Sequence, residues 1–359
     1  MSATVQVAGR STLARHALVA VILFIVYVSL YPWEGWRDQG LSPLAFLSAP
    51  WPRQLHWGDI TLNVLAYVPL SFLIVIAMQP AGRWVGAIVA VTSAIVLSGL
   101  MEALQAFLPT RVSSRVDLLA NATGALVGTG LGSALVPHLL SSARLRAWRA
   151  RWFHHGSFAD LGIVLLAVWP LTQAHPGGLF FGTGDLRVWL GLTSGGLYAP
   201  WSFTLVETLV TAANTLGLGL LAAALLVPGR PRWPLLSVLL GLAIAARVGV
   251  FALLYSPAES LRWVTPGSMI GLALGLAALA GLLRLWPSAR IRWAIWLLLA
   301  ALLMVNTSPL NPYLIDPASV RFQVHVLDFS GLVRALGLAW PFLALIYLGL
   351  LRRRPNSPL

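Results

Sequence analysis

The chain has 359 residues, of which 58% are hydrophobic and only 10% charged, with a formal net charge of +13 and no cysteine. A soluble domain cannot hide so much apolar surface behind so little polar surface. Disulfides, thiolate metal ligands and sulfur nucleophiles are excluded; because every basic residue is an arginine, lysine Schiff-base chemistry is excluded too. Compositional drift in a GC-rich bacterial genome accounts for the arginine-only usage.

A membrane span needs about 20 apolar residues. Ten stretches come close: residues 16–33, 59–79, 85–108, 116–137, 158–174, 203–228, 234–255, 264–285, 291–308 and 330–351. The expected fold is therefore all-α, a polytopic transmembrane bundle of about ten helices. Span 1 follows Arg10 and Arg15 but lacks a small-residue cleavage site and closes on Tyr31, Pro32 and Trp33, so it reads as a retained span and not a signal peptide.

Span 2 opens with Asp59 and Asn63, one turn apart, and carries Pro69 further along. Span 3 ends with Glu102 and Gln105, which are three apart and share a helix face. At 1.5 Å per residue, Glu102 lies about 25 Å along the span from Val85. Arg111, Ser113, Ser114 and Arg115 follow in the loop, and span 4 places Asp117, Asn121, Gly124 and Gly128 on one helical stripe, polar at the start and small further in. Small residues let a neighbouring helix approach closely. All these groups are expected to meet in one shallow pocket.

Asp59 and Asp117 at helix N-termini gain from capping and the helix dipole, and that reading is preferred for Asp59. Glu102 lies inside a span, where ionisable groups are expensive and usually face a partner or a ligand, so a ligand role is preferred there. An arginine beside carboxylates can exchange from them to a phosphate or carboxylate of a ligand. Two carboxylates in different surroundings can also divide into acid and base.

Arg10, Arg15, Arg83, Arg144, Arg146, Arg149, Arg151, Arg230, Arg232, Arg284, Arg290, Arg292 and the tail Arg352, Arg353, Arg354 all fall in loops on one side. The other side has only Arg37, Arg53, Arg111, Arg115, Arg187, Arg262 and Arg321. By the positive-inside rule both termini are expected in the cytoplasm and the pocket on the external face. The net charge thus reports topology and an anionic lipid surface, without a nucleic-acid partner. Trp84, Trp152, Trp201, Trp233, Trp263 and Trp286 near span ends read as interfacial belt residues and not as a sugar platform.

Spans 6–8 echo spans 2–4: Asn63 onward faces Asn214 onward, Asn121-Ala-Thr-Gly124 faces Ser268-Met-Ile-Gly271, and Pro109 faces Pro257. The copies lie four spans apart, which makes the repeat parallel. The second copy has apolar residues near Val250 and Leu253 and Val264 or Thr265 in place of Asp117, so the polar site is expected in the first half only. Arg247 inside span 7 needs an anion, with Glu207 or Glu259 as a buried structural partner. His154 and His155 read as a solvated loop, and Asp328 and Arg334 as anchors of the last span. No metal or cofactor motif, phosphate-binding glycine loop or nucleophile elbow is present.

With these residues laid out, Asp59, Asn63, Pro69-Leu70, Glu102, Gln105, Arg111, Asp117, Asn121, Gly124 and Gly128 make the segment 59–137 resemble the VanZ-like family of bacterial membrane proteins, with Ser71 where that family has Gly after Pro-Leu. The family is named for an accessory protein of glycopeptide resistance clusters associated with teicoplanin tolerance. The resemblance implies a VanZ-like transmembrane domain over 16–139, followed by a basic cytoplasmic loop at 140–157, a degenerate second repeat at 158–287 and a C-terminal helix pair with basic tail at 288–359. It also implies a multi-pass protein of the bacterial cytoplasmic membrane.

The expected activity is binding or handling of a lipid-linked glycan or peptidoglycan intermediate, or a contribution to glycopeptide tolerance, without a cofactor. Asp59, Asn63, Glu102, Gln105, Arg111, Asp117 and Asn121 would bind the ligand, and Gly124 and Gly128 would pack the helices. The partners are then a membrane lipid or lipid-linked precursor and a further membrane protein. Two other readings stand beside it: an intramembrane hydrolase or transferase using Glu102 and Asp117 as acid and base, and a transporter or flippase built on the repeat.

Overall fold

The computed structural model describes residues 12–31, 33–52, 55, 57–78, 81–141, 143–187, 190–191, 200–254, 257–308 and 326–353. Of the residues weighed for topology, Arg10, Pro32, Arg53, Arg321 and Arg354 lie outside these. Eleven α-helices and no strand occur among the described residues: α1 Thr12–Leu30, α2 Trp57–Ala77, α3 Arg83–Gln105, α4 Arg115–Ser141, α5 Ala143–Trp152, α6 Ser157–Thr172, α7 Pro200–Leu225, α8 Trp233–Leu254, α9 Pro266–Leu282, α10 Pro287–Thr307 and α11 Val326–Arg352.

Eight of them (α1–α4, α7, α8, α10 and α11) are long and apolar enough to cross a membrane. The two remaining predicted spans fall on the shorter apolar helices α6 and α9, of 16 and 17 residues. The protein is an all-α, multi-pass membrane protein. Helix α5 lies in the arginine-rich segment expected as a loop; four of its ten residues are arginine.

The chain divides into two compact units, Met1–Arg151 and Trp152–Leu359. In the first, α2 and α4 lie closest together. A Cβ on Gly124 would run into the Val64 carbonyl oxygen, and one on Gly128 into that of Val68, while Gly132 sits against the Val75 side chain. Only glycine lets the backbones come this near. Ile25, Tyr67, Leu70, Ile74, Val75, Ala90, Ala94 and Ala125 fill the space between α1, α2, α3 and α4. Gly82, with φ 97°, makes the entry into α3, a conformation that side chains other than glycine's rarely adopt.

In the second unit α7 is central. Its span is 83% buried, against 33% for α8 and 22% for α10. It packs on α9 through Gly267, Gly271 and Gly275, which lie over the backbone of Thr204, Thr208 and Ala212. Trp169, Phe181 and Trp340 form an aromatic core, and the Trp340 indole donates to the Leu165 carbonyl at 2.9 Å. The α9 start carries a full capping box: Thr265 and Ser268 bond each other's backbone N–H, with Pro266 at the first helical position.

Each unit thus holds a pair of helices joined by small residues, α2 with α4 and α7 with α9. Matching Gly124 to Gly271 and Gly128 to Gly275 places Val64 opposite Thr208, and so Asn63 opposite Glu207. The expected pairing of Asn63 with Asn214 is off by about two helical turns. Asn214 is buried and spends its amide on its own helix, donating to the Val210 carbonyl at 3.0 Å.

Candidate functional site

The site grows from the turn between α3 and α4. After Gln105 the chain doubles back through Leu108 and Arg111, held by short backbone bonds (Leu108 N–H to Gln105 at 2.9 Å, Arg111 N–H to Leu108 at 3.0 Å), with Leu108 fully buried beneath it. This turn returns the start of α4 to the end of α3. The Glu102 carboxylate, 3% exposed, accepts the Ser114 backbone N–H at 2.7 Å, while the Ser113 hydroxyl donates to the Glu102 carbonyl at 2.6 Å. The Ser114 hydroxyl accepts from Val116 N–H at 3.1 Å.

Ser114 therefore caps α4 with its hydroxyl, and Glu102 of α3 accepts the N–H of that capping residue, much as the glutamate of a capping box does. Asp117 stands in the first turn of α4 and Asp59 in the first turn of α2, where the positive end of the helix dipole favours a carboxylate. The Asn63 amide donates to the Asp117 carboxylate at 2.9 Å, tying α2 to α4.

One turn deeper, the Asn121 amide donates to the Ser98 hydroxyl of α3 at 2.9 Å. Its Oδ1 is buried with no hydrogen-bond partner, and so is the Tyr67 hydroxyl, which lies near Ser98 without forming a well-shaped bond. Buried acceptors and hydroxyls left unmatched are costly. Sequence reading did not single out Ser98 or Tyr67. The signal that would have found them is the one-turn spacing of Ser98 to Glu102 and of Asn63 to Tyr67, which puts each on the face of its polar neighbour.

Gln105 and Arg111 turn toward α1. Gln105 donates to the Ser29 carbonyl at 2.8 Å; Arg111 donates through Nε to Tyr31 at 2.8 Å and through Nη2 to Val28 at 2.9 Å. Three carbonyls at the α1 C-terminus, unsatisfied within the helix, are bonded in this way, two of them by a cation that suits the negative end of the dipole. The segment after α1 is drawn over the turn by Gln39, whose amide donates to Ala106 at 2.7 Å, and by the Arg37 N–H to Phe107 at 3.0 Å. Arg115, the first residue of α4, lays its guanidinium 4.4 Å from the Trp51 ring centre, and its Nε is buried without a partner. Trp33, Trp36, Trp51 and Trp57 are all exposed.

The predicted residues are thus divided. Asn63, Glu102, Asp117 and Asn121 meet between α2, α3 and α4; Gln105 and Arg111 bind α1; Gly124 and Gly128 form the α2–α4 contact. Among the described residues no three His, Asp or Glu side chains come together as a metal site would require.

These features define a multi-pass membrane protein with a partly buried carboxylate and amide cluster at one end of its first helical unit. Residues 16–136 match the model of the VanZ/LLP1 family, so the resemblance read from the motifs holds for a segment covering about a third of the chain. No curated protein and no solved structure matches the chain.

Proposed function

We propose that the VanZ-like unit binds the headgroup of a cell-envelope precursor, a lipid-linked glycan or peptidoglycan intermediate, at the external face of a bacterial cytoplasmic membrane, and that any contribution to glycopeptide tolerance follows from that binding. The observation that carries this reading is the meeting of buried Glu102 and Asn121 with half-buried Asn63 and Asp117 in one cluster beside Arg115 and exposed tryptophans. Carboxylates and amides suit sugar hydroxyls, a guanidinium suits phosphate, and an indole face suits the apolar side of a sugar ring. Arg111 is committed to α1 carbonyls, so Arg115 is the arginine that faces the ligand in this reading, while Arg111 sets the position of α1.

The test is mass spectrometry of lipid-linked envelope intermediates in a deletion strain complemented with wild type, Arg115→Gln or Glu102→Gln. One intermediate accumulates in the deletion and wild type clears it. Arg115→Gln leaves it uncleared and Glu102→Gln is milder, because glutamine keeps an oxygen for the Ser114 N–H. An unchanged lipid profile in the deletion strain defeats the proposal.

A further inference from the structure

The second unit contains a buried cation with no carboxylate at ion-pair distance among the described residues. Arg247 of α8 is 3% exposed. Its guanidinium donates to the carbonyls of His175 and Gly178 in the segment after α6 and lies 5.9 Å from the Phe180 ring centre and 5.8 Å from that of Phe251. Glu207 and Glu259, expected as partners, bond other groups, as does Asp185, and Glu207 acts on Arg247 only at longer range. The Glu207 carboxylate accepts from the Thr265 hydroxyl at the start of α9, Glu259 pairs with Arg262 at 3.4 Å, and Asp185 pairs with Arg187 at 2.6 Å. No carboxylate among the described residues comes within ion-pair distance of Arg247. Carbonyl dipoles and ring faces ease the burial of a guanidinium but leave its net charge in place, and an unpaired charge inside a membrane protein is costly.

Three buried nitrogens in this region also lack hydrogen-bond partners: Arg247 Nε, Trp263 Nε1 and His175 Nδ1. They are linked through Phe180 and Gly178. Trp263 stacks on Phe180 at 4.7 Å between ring centres, and the His175 ring lies against Gly178, whose carbonyl Arg247 binds. Arg and Trp can only donate through these atoms, and His can donate through Nδ1. The atoms left unmatched around this cation can all donate, which is the complement of an acceptor-only anion, and the oxyanion that a membrane offers in quantity is phosphate.

We propose that the second unit holds a buried oxyanion site, centred on Arg247 with Trp263 and His175 as accessory donors, that takes a phosphate group. Phosphate oxygens would receive Arg247 Nε–H and the Trp263 indole N–H and would supply the missing counter-charge. The same chemistry serves the phosphodiester of an anionic lipid and free inorganic phosphate. The site lies outside the VanZ-like segment and does not depend on the function proposed for it.

The experiment reconstitutes the full chain in nanodiscs containing phosphatidylglycerol and phosphatidylcholine, then measures lipid retained on detergent extraction by native mass spectrometry. Wild type is expected to keep a phosphatidylglycerol adduct. Arg247→Gln should lower its occupancy about tenfold, as loss of a charge-assisted bond implies, and Trp263→Phe, which keeps the ring and its stacking, should lower it several-fold. Gly130→Ala in the first unit, where a Cβ meets open space, leaves it unchanged.

In parallel, unfolding temperatures are compared in inorganic phosphate and in chloride at equal ionic strength. A rise with phosphate in wild type, absent in Arg247→Gln, assigns the site to the free ion; a lipid adduct without that rise assigns it to the lipid. Retention equal in wild type, Arg247→Gln and Trp263→Phe overturns the proposal, as does the absence of both signals in wild type. If Arg247→Gln fails to fold, Trp263→Phe decides between these outcomes.

Discussion

The two units solve one packing problem alike and one electrostatic problem in opposite ways. In each, glycines on one helix meet the backbone of another: Gly124 and Gly128 on α2, Gly267, Gly271 and Gly275 on α7. Each also has a buried carboxylate bonded to the residue that caps the small-residue helix, Glu102 to the Ser114 N–H before α4 and Glu207 to the Thr265 hydroxyl before α9. The arginines differ. Arg111 sits in the turn and binds the last carbonyls of α1, whereas Arg247 is inside α8 and binds carbonyls in the segment beyond α6. The carboxylate has meanwhile moved from α3 to α7, the counterpart of α2. Each unit thus ties a carboxylate to the residue that caps its small-residue helix and an arginine to backbone carbonyls at or beyond the end of its first helix, from different positions in the sequence.

The shared half of the comparison predicts the largest effects. Gly124→Val or Gly128→Val drives a side chain into a carbonyl of α2, and Gly271→Val does the same to Thr208 of α7. Backbone cannot yield as a side chain can, so each is expected to cost more than about 3 kcal/mol and to leave little folded protein after extraction in detergent. Gly130 on α4 has open space where its Cβ would go, and Gly130→Ala should leave stability unchanged or slightly raised. Equal thermal unfolding of Gly124→Val and Gly130→Ala would break the claim that backbone approach holds each pair together.

The second prediction separates the units by pH. Burial, with the charges of Arg247 and Arg334 adding to it, lowers the His175 imidazole from 6.5 to about 4. Between those values the unfolded chain takes up a proton that the folded chain refuses, so stability falls as pH drops from 6.5 and has lost this contribution in full by about pH 4. The loss is on the order of 3 kcal/mol at most. Asp185 acts in the other sense: its folded value is held low by Arg187, so its contribution is present above 3.8 and lost only in stronger acid. Unfolding temperatures measured from pH 7 to 4 should fall for the wild type and fall much less for His175→Asn. An identical slope for the two would remove His175 as the source.

Much of the first unit was legible because its signals are discrete. Asp59, Asn63, Glu102, Asp117 and Asn121 stand out against apolar runs, and helical spacing puts them at one end. What the sequence concealed is which of several neighbours each would bind. Gln105 and Arg111 stand beside Glu102 in the chain, yet orphaned carbonyls of α1 compete for them and win. Glu102 was weighed as a ligand group, and its carboxylate is bonded to an amide at a helix start, a partner that becomes visible only once the turn at 106–114 folds back. In the second unit apolar segments align in many registers, so the Asn63 and Asn214 match looked convincing. The register that the close contacts show is carried by Gly271 and Gly275; Arg247 and Glu207 were expected as a buried pair, and each instead bonds other groups.

The carboxylates offer a finer cut. Glu102→Ala leaves the half-buried Ser114 N–H without its acceptor, at a cost of about 1–3 kcal/mol. Glu207→Ala frees Thr265 in the same way and also takes from Arg247 the negative charge that acts on it, so it should fall at the upper end of that range. Glu102→Gln should recover most of its loss, because an amide oxygen still accepts. Thermal unfolding of the three variants sharpens the comparison. A smaller loss for Glu207→Ala than for Glu102→Ala would mean that Arg247 gains nothing from Glu207 and is balanced wholly by its other surroundings.

The smallest expected effect concerns a bond with no counterpart among the described residues of the second unit. Ser98→Ala removes the acceptor for the Asn121 amide, which is buried between α3 and α4 and bonds Ser98 at 2.9 Å. Asn121 already has an unmatched Oδ1, so the substitution strands the amide at both ends and should cost about 1 kcal/mol. Replacing both residues, Ser98→Ala with Asn121→Leu, takes the stranded groups away together, and the double variant should then be no less stable than Ser98→Ala alone. If it is, Asn121 is held by something other than Ser98. If Asn121→Leu also abolishes clearance of the envelope intermediate while stability is kept, its unmatched oxygen belongs to the ligand and not to the fold.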